Sequence, residues 1–320
     1  MSFYYLLFLT FFFITELLYF KFADYFDIID KPNARSSHTA VTIRGGGIVF
    51  GIAALSFFFS NDFQYPHFII GLFLIALISF LDDIITLNNK VRLAIHLISV
   101  LLMFYQWNLF DLPWYWFPVT LIFVIGSINA YNFMDGINGI TGSYSLLAIG
   151  TLYYINHFVV EFISTEFLVL IALSLLVFNF FNFRKKAKCF AGDVGSVSIA
   201  FIIIFIIGQL VIKTENFSYI LLLLIYGLDA VITIFFRLIR KENIFEAHRS
   251  HFYQYLANEK KWSHLIVSGM YFFVQLVINI LIVLFVKESY LFGAALVIST
   301  GLIFLAVRFA VEGKKRLVGS

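Results

Sequence analysis

The sequence predicts an all-α polytopic membrane bundle, and three observations predict it. Of the 320 residues, 61% are hydrophobic and only 13% are charged, where a soluble globular domain carries about 25% charged residues. The mean hydropathy is +0.93, and the apolar residues gather into runs close to the ~17–25 residues that cross a bilayer as a helix. The third observation is where the basic residues fall. With the loop after the first run placed in the cytoplasm, every Lys and Arg except Lys213 and Lys287 lies on the cytoplasmic side, the asymmetry that orients membrane proteins. The N-terminus is therefore expected outside and the C-terminus inside.

Eleven candidate spans follow, at roughly 3–22, 46–60, 67–81, 93–106, 117–131, 140–156, 166–183, 194–212, 217–236, 263–286 and 290–308. Two are short, so about ten or eleven is the expected number. The first span lacks a basic start and a small-residue cleavage site, and reads as a retained helix. Residues 1–320 are expected to form one integral membrane domain. The two halves share no pattern of interrupted helices of the kind seen in many transporters. The net charge of +3 belongs to residues bordering an anionic inner leaflet, so no nucleic-acid partner is expected. A single Cys189 excludes a disulfide framework or a thiolate metal cluster.

The outer loops are short and plain, whereas each inner loop is polar, which places any chemistry at the cytoplasmic face. The first inner loop, "DKPNARSSHTAVTIRGGG", offers Arg35, His38, Arg44 and Gly45 to Gly47. An arginine followed by glycines suits a phosphate, and suits equally the start of the second span. The next loop opens with Asp82 and Asp83, with Lys90 and Arg92 before the fourth span. Two adjacent carboxylates can hold Mg²⁺, which prefers hard oxygen ligands, or one can act as a base with its pKa raised by its neighbour. The bland alternative is a solvated turn whose acids pair with Lys90 and Arg92.

"SINAYNFMDGINGITG" places Asn129, Asn132, Asp135 and Asn138 three residues apart, with Gly136, Gly139 and Gly142. Amides, a carboxylate and permissive backbone together suit a polar ligand such as a nucleotide. In "FNFRKKAKCFAGDVGSVSIAF" the basic run Arg184 to Lys188 reads as a positive-inside anchor. Asp193 stands at the start of the eighth span, as a cap favoured by the helix dipole or as a further Mg²⁺ ligand. Phe190 beside it could stack on a base. Farther on, Asp229, Thr233 and Arg237 form one stripe on the ninth span, with Asp229 roughly 12 Å deeper than Arg237, either as a structural salt-bridge stripe or as a catalytic one. His248, Arg249 and His251 then make a basic segment suited to phosphate. The tail "EGKKRLVGS" is expected only to anchor the last helix.

Together these loops offer carboxylates for Mg²⁺, amides and glycines for a nucleotide, and Arg, Lys and His for phosphates, the set that phosphoryl transfer uses. From Asp30 to Leu256 the sequence resembles the polyprenyl-phosphate N-acetylhexosamine-1-phosphate transferases, the WecA, MraY and TagO group of glycosyltransferase family 4. The motifs run in family order: "DKPNARSSH…RGGG", "DD…L…R", "NAYNFMDGINGITG", "FAGDVGS" and "D…R…HRSHFYQ". The last is closer to the O-antigen and capsule branch than to the MraY branch, which ends in a run of histidines. The resemblance implies transfer of a sugar 1-phosphate from a UDP-N-acetylhexosamine to undecaprenyl phosphate, with release of UMP, at a bacterial inner membrane. GlcNAc or a deoxy relative such as FucNAc or QuiNAc is the implied sugar, and O-antigen, capsule or another envelope glycan the product. It implies Mg²⁺, with Mn²⁺ as an alternative, on Asp193 with Asn132. Asp82, Asp83, Asp135 and His248 match catalytic positions. Lys90, Arg92, Asn132, Asn138, Phe190, Arg249 and His251 match positions that bind substrate, with Phe190 and Asn138 at the uracil. A homodimer is one arrangement it allows. Thr86 stands where many relatives carry a third acid, so no metal role is expected there, and Asn138 stands where some have Asp. The rival readings are an intramembrane Mg²⁺-dependent prenyltransferase, which would want a second Asp-rich motif, and a transporter using Asp229, which would leave the inner-loop clusters without a purpose.

Overall fold

Each of the eleven predicted spans coincides with a long helical segment in a computed structural model of the chain, which describes residues 3–32, 41–85, 87–244, 246, 248–285 and 290–319. Arg35, His38, Thr86 and Lys287 lie outside the described residues. The long helices are α1 (Phe3–Tyr25), α2 (Ile48–Ser60), α3 (Pro66–Ile84), α4 (Asn89–Gln106), α5 (Trp116–Met134), α6 (Ile140–Phe158), α7 (Thr165–Asn182), α8 (Gly192–Thr214) and α9 (Leu224–Ile239). After them come a short α10 (Phe252–Gln254), then α11 (His264–Phe285), α12 (Tyr290–Glu312) and a terminal turn of helix, α13 (Lys314–Val318).

Among the described residues, eight segments are long and apolar enough to cross a membrane, fewer than the ten or eleven read from the sequence. The difference has simple causes. Helix α2 is apolar but only 13 residues long, while α4 begins with Asn89, Lys90 and Arg92 and α6 begins with a run of hydroxyls and glycine. One small feature escapes the sequence patterns. Strands β1 (Ile29–Asp30) and β2 (Thr42–Ile43) pair antiparallel, and Ile43 also pairs in parallel with Cys189. That bridge ties the loop after α1 to the loop before α8.

Helix α8 is the axis of the bundle. It is apolar all round, which marks a buried helix rather than a surface one, and it packs on α2, α3, α5 and α6. Phe68 of α3 stacks on Phe205 at 3.9 Å between ring centres. The ninth span enters as a 3-10 turn (Phe217–Leu223) before α9 begins. Backbone groups freed by such a break need partners where water is absent. Gln275 of α11 supplies them, donating to the Leu221 carbonyl and accepting from the Ile225 N–H, both at 3.0 Å.

Candidate active site

The site forms where α8 begins. A helix start leaves unsatisfied N–H groups and a positive dipole end, and here the cap comes from another helix. Asp83, at the last turn of α3, accepts from the Asp193 N–H through Oδ1 and the Val194 N–H through Oδ2, each at 3.0 Å. Its side chain is wholly buried, and Arg44 Nε lies 2.7 Å from Oδ1. Gly192, at φ +70°, makes room for this: a Cβ there would stand 2.6 Å from Asp83 Oδ2.

The Arg-Gly-Gly-Gly motif docks on the same turn. The Gly46 and Gly47 N–H groups donate to the carbonyls of Phe190 and Ala191. A Cβ on Gly47 would stand 2.2 Å from the Gly195 Cα, so two glycines let two backbones touch. Tyr19 of α1 holds the Arg44 carbonyl at 2.6 Å. These bonds aim the Arg44 guanidinium, with Nη2 3.3 Å from Asp193 Oδ1. Burial works against that charge, but Asp83 and Asp193 together raise its pKa above the ordinary value.

A second arginine completes the lattice. Arg92 Nη1 is 2.6 Å from Asp82 Oδ2 and its Nη2 is 3.7 Å from Asp193 Oδ2. Asp82 Oδ1 accepts from the Leu87 N–H and so closes the turn between α3 and α4. Asn132 joins from α5, its Oδ1 accepting from the Ser196 hydroxyl at 3.0 Å. Asp135 stands just past α5. Burial pushes its carboxyl up to about 7, with the negative charges of Asp193 and Asp83 adding to the shift.

The adjacent carboxylates thus do different work. Asp83 is turned inward as a cap, and Asp82 pairs with Arg92 as the solvated-turn alternative had it, though at 11% exposure rather than in open solvent. Asp193 is 21% exposed and faces both arginines. Among the described residues no three His, Cys, Asp or Glu side chains stand together as a metal cage. Mg²⁺ seldom needs one, because one or two carboxylates and substrate phosphates complete its shell. Asp193 with the Asn132 amide oxygen fits that mode of binding.

Beside this lattice sits the His248–His251 segment, reached through the end of α5. The Phe133 ring lies 6.2 Å from His248 and 6.0 Å from His251, and Tyr253 donates to the Phe133 carbonyl at 2.8 Å. Burial, together with His251 and Arg237, lowers the His248 pKa to about 4, so this imidazole is neutral at pH 7. Asp229 is a second remote cap. Wholly buried, it accepts from the N–H groups of Phe252 and Tyr253, the Thr233 hydroxyl and the Tyr271 hydroxyl. His251 Nδ1 is 3.5 Å away. Arg237 does not continue the stripe with Asp229. It turns to Glu242 and the carbonyls of Asn243, Ile244 and Glu246.

Other predicted residues lie farther from the carboxylates. Asn138 is buried, with its amide donating to the carbonyls of Arg184 and Lys185. Lys90 is exposed at the α4 start, its N–H capped by Asn88. Phe190 is half-buried at the lattice edge, laced by backbone bonds to Ile43 and Gly46. Arg249 follows His248 in the same segment, half-buried. Ser196 and Arg308 were missed from the sequence, and Arg44 was seen only weakly. Arg308 had a usable signal, a lone cation in an apolar run.

Residues 65–211 match the family described as glycosyl transferase family 4. A Bacillus subtilis (strain 168) protein named as a probable undecaprenyl-phosphate N-acetylglucosaminyl 1-phosphate transferase is 27% identical over 257 residues, 71% of this chain and 69% of that protein. Proteins named undecaprenyl-phosphate alpha-N-acetylglucosaminyl 1-phosphate transferase are also similar. The one from Yersinia pestis is 30% identical over 57% of this chain and 55% of its own length, and the one from Escherichia coli K12 29% over 62% and 59%. The matched stretch thus spans a little over half of these two relatives.

Proposed function

We propose, from the match of residues 65–211 to glycosyl transferase family 4, that the chain moves an N-acetylhexosamine 1-phosphate from a UDP-sugar to undecaprenyl phosphate, releasing UMP. The observation that carries the proposal is the lattice at the α8 start, where Arg44 and Arg92 converge on Asp193. Two arginines and a partly open carboxylate at a helix N-terminus make a place for a diphosphate.

An oxygen of the lipid phosphate attacks the sugar-bearing phosphorus of the donor. The bond from that phosphorus to the bridging oxygen breaks, and its electron pair leaves on UMP. Asp193 and Asn132 would hold Mg²⁺, which would supply positive charge against the diphosphate and the leaving group. Arg44 and Arg92 hold the non-bridging oxygens. Asp82 fixes Arg92, and Asp83 fixes both Arg44 and the first turn of α8. The neutral His248 and the Arg249 cation line the side reached through α5, where the sugar-bearing phosphate of the donor is held. Phe190 stacks on uracil. Asn138 serves the nucleotide indirectly, by fixing the Arg184–Lys185 backbone.

The active face is cytoplasmic, with the N-terminus outside, in a bacterial inner membrane, and the product starts an envelope glycan such as O-antigen or capsule. GlcNAc is the first sugar to try, since the similar proteins are named for it, and FucNAc and QuiNAc are the next. The transporter reading loses its main support, because Asp229 has its oxygens engaged by two N–H groups and two hydroxyls inside the protein. A panel of UDP-sugars, with undecaprenyl phosphate and mass spectrometry of the lipid product, tests the proposal. A diphospholipid carrying one of these sugars supports it. Sugar recovered on no lipid, with any donor, counts against it.

A further inference from the structure

Arg308 lies in α12, outside the 65–211 match and outside every motif above, yet it is only 1% exposed. An arginine survives in apolar surroundings only where its donors are used. Here Nη1 donates to the Thr233 hydroxyl at 2.8 Å, Nη2 to the Ser250 carbonyl at 3.1 Å, and Nε to Glu312. The rings of Phe236 and Phe252 lie 5.5 and 5.9 Å from the guanidinium carbon. One side chain therefore joins α9, α12 and the segment that carries His248 and His251. A second strap runs beside it. Tyr255 donates to the Val311 carbonyl, Arg316 lies 4.4 Å from the Tyr255 ring centre, and Arg240 donates to the carbonyls of Arg316 and Leu317. The tail does more than anchor the last helix.

We propose that Arg308 is a positioning residue, through which the last long helix sets the place of the His248–His251 segment and so the binding of the nucleotide-sugar. The inference rests on the proposed reaction only in naming what the segment meets. The competing role is a plain counter-charge for Asp229, whose Oδ1 lies 4.0 Å from Arg308 Nη1. The two roles separate because lysine supplies a point charge but not the fork that reaches Thr233 and Ser250 together.

The test uses Arg308→Lys and Thr233→Val in the full-length protein in detergent. Three quantities are measured: melting temperature, KM and kcat for the UDP-sugar, and amide hydrogen exchange across residues 250–256. Positioning predicts that both variants stay folded. Their KM rises about tenfold or more in Arg308→Lys, with kcat changed far less, the mark of lost binding rather than lost chemistry. Exchange across 250–256 speeds up in both. A parental KM in Arg308→Lys, or parental exchange in either variant, overturns the proposal. So does an Arg308→Lys protein that cannot fold, since the fork is then needed for the fold itself rather than for placing the segment. If the parent releases no UMP, the reaction reading fails by itself, and the exchange measurement alone decides the positioning role.

Discussion

Arg44 joins the buried cap of α8 to the partly open carboxylate beside it. Its backbone is pinned by Tyr19, and its guanidinium divides between a buried cap, Asp83, and a partly open carboxylate, Asp193. Any ligand that takes Asp193 also meets Arg44 and Arg92, so in the proposed mechanism the cation and the diphosphate share one unit. Asp135, half-buried beside that unit, gives a prediction in pH. Its carboxyl goes from an ordinary 3.8 to about 7 in the folded protein, so the folded state holds a proton that the unfolded state releases. The stability this contributes is complete below about pH 4 and is lost as pH rises through about 7. Without added metal, the melting temperature should fall less between pH 5 and 8 in Asp135→Asn than in the parent. Equal slopes would mean that Asp135 carries its charge throughout. Phe190→Ala should weaken UDP-sugar binding by about 1–3 kcal/mol, the worth of stacking on a base; calorimetry that finds parental affinity would remove the uracil contact.

At the scale of elements, one device occurs twice. A carboxylate from a long apolar helix, Asp83 of α3 or Asp229 of α9, caps the start of another helix. Such a cap fixes the start of α8 more firmly than a local side chain could, because it ties the turn to a second helix. The pair Asp82 and Asp83 therefore divides by role. Removing one partner of a buried, hydrogen-bonded charge pair costs about 3–5 kcal/mol, so Asp83→Ala should melt well below the parent or fail to accumulate. Asp82→Ala should fold and lose turnover through a misplaced Arg92. Thermal unfolding and turnover measured on both variants check this. Two variants with the same melting temperature would contradict the division.

For the whole molecule, hydropathy and motif order made the bundle and its polar face legible, because burial in lipid imposes long apolar runs that are hard to disguise. Less legible was anything that depends on where α8 starts in space. Asp82 and Asp83 read alike in sequence, and only the N–H groups of Asp193 and Val194, more than a hundred positions away, decide which one turns inward. Arg308 could be noticed as a charge in an apolar helix, but its partner Thr233 is 75 positions distant. The β1–β2 pair, two residues a strand, is too short for any periodicity. These are the features that hold the polar loops in place. The polar motifs supply the chemistry, and α8 with its two remote contacts, Asp83 and the Arg44–Gly47 turn, gives that chemistry its geometry.

The most direct measurement is UMP release by the purified protein with UDP-GlcNAc, undecaprenyl phosphate and Mg²⁺, repeated with lipid or metal withheld and with Asp193→Asn. The expected result is release that needs both lipid and metal, and a fall of about 10²–10³-fold in an Asp193→Asn protein that still folds. Release that continues without lipid, or at full rate in Asp193→Asn, would contradict the transfer mechanism built on the α8 start.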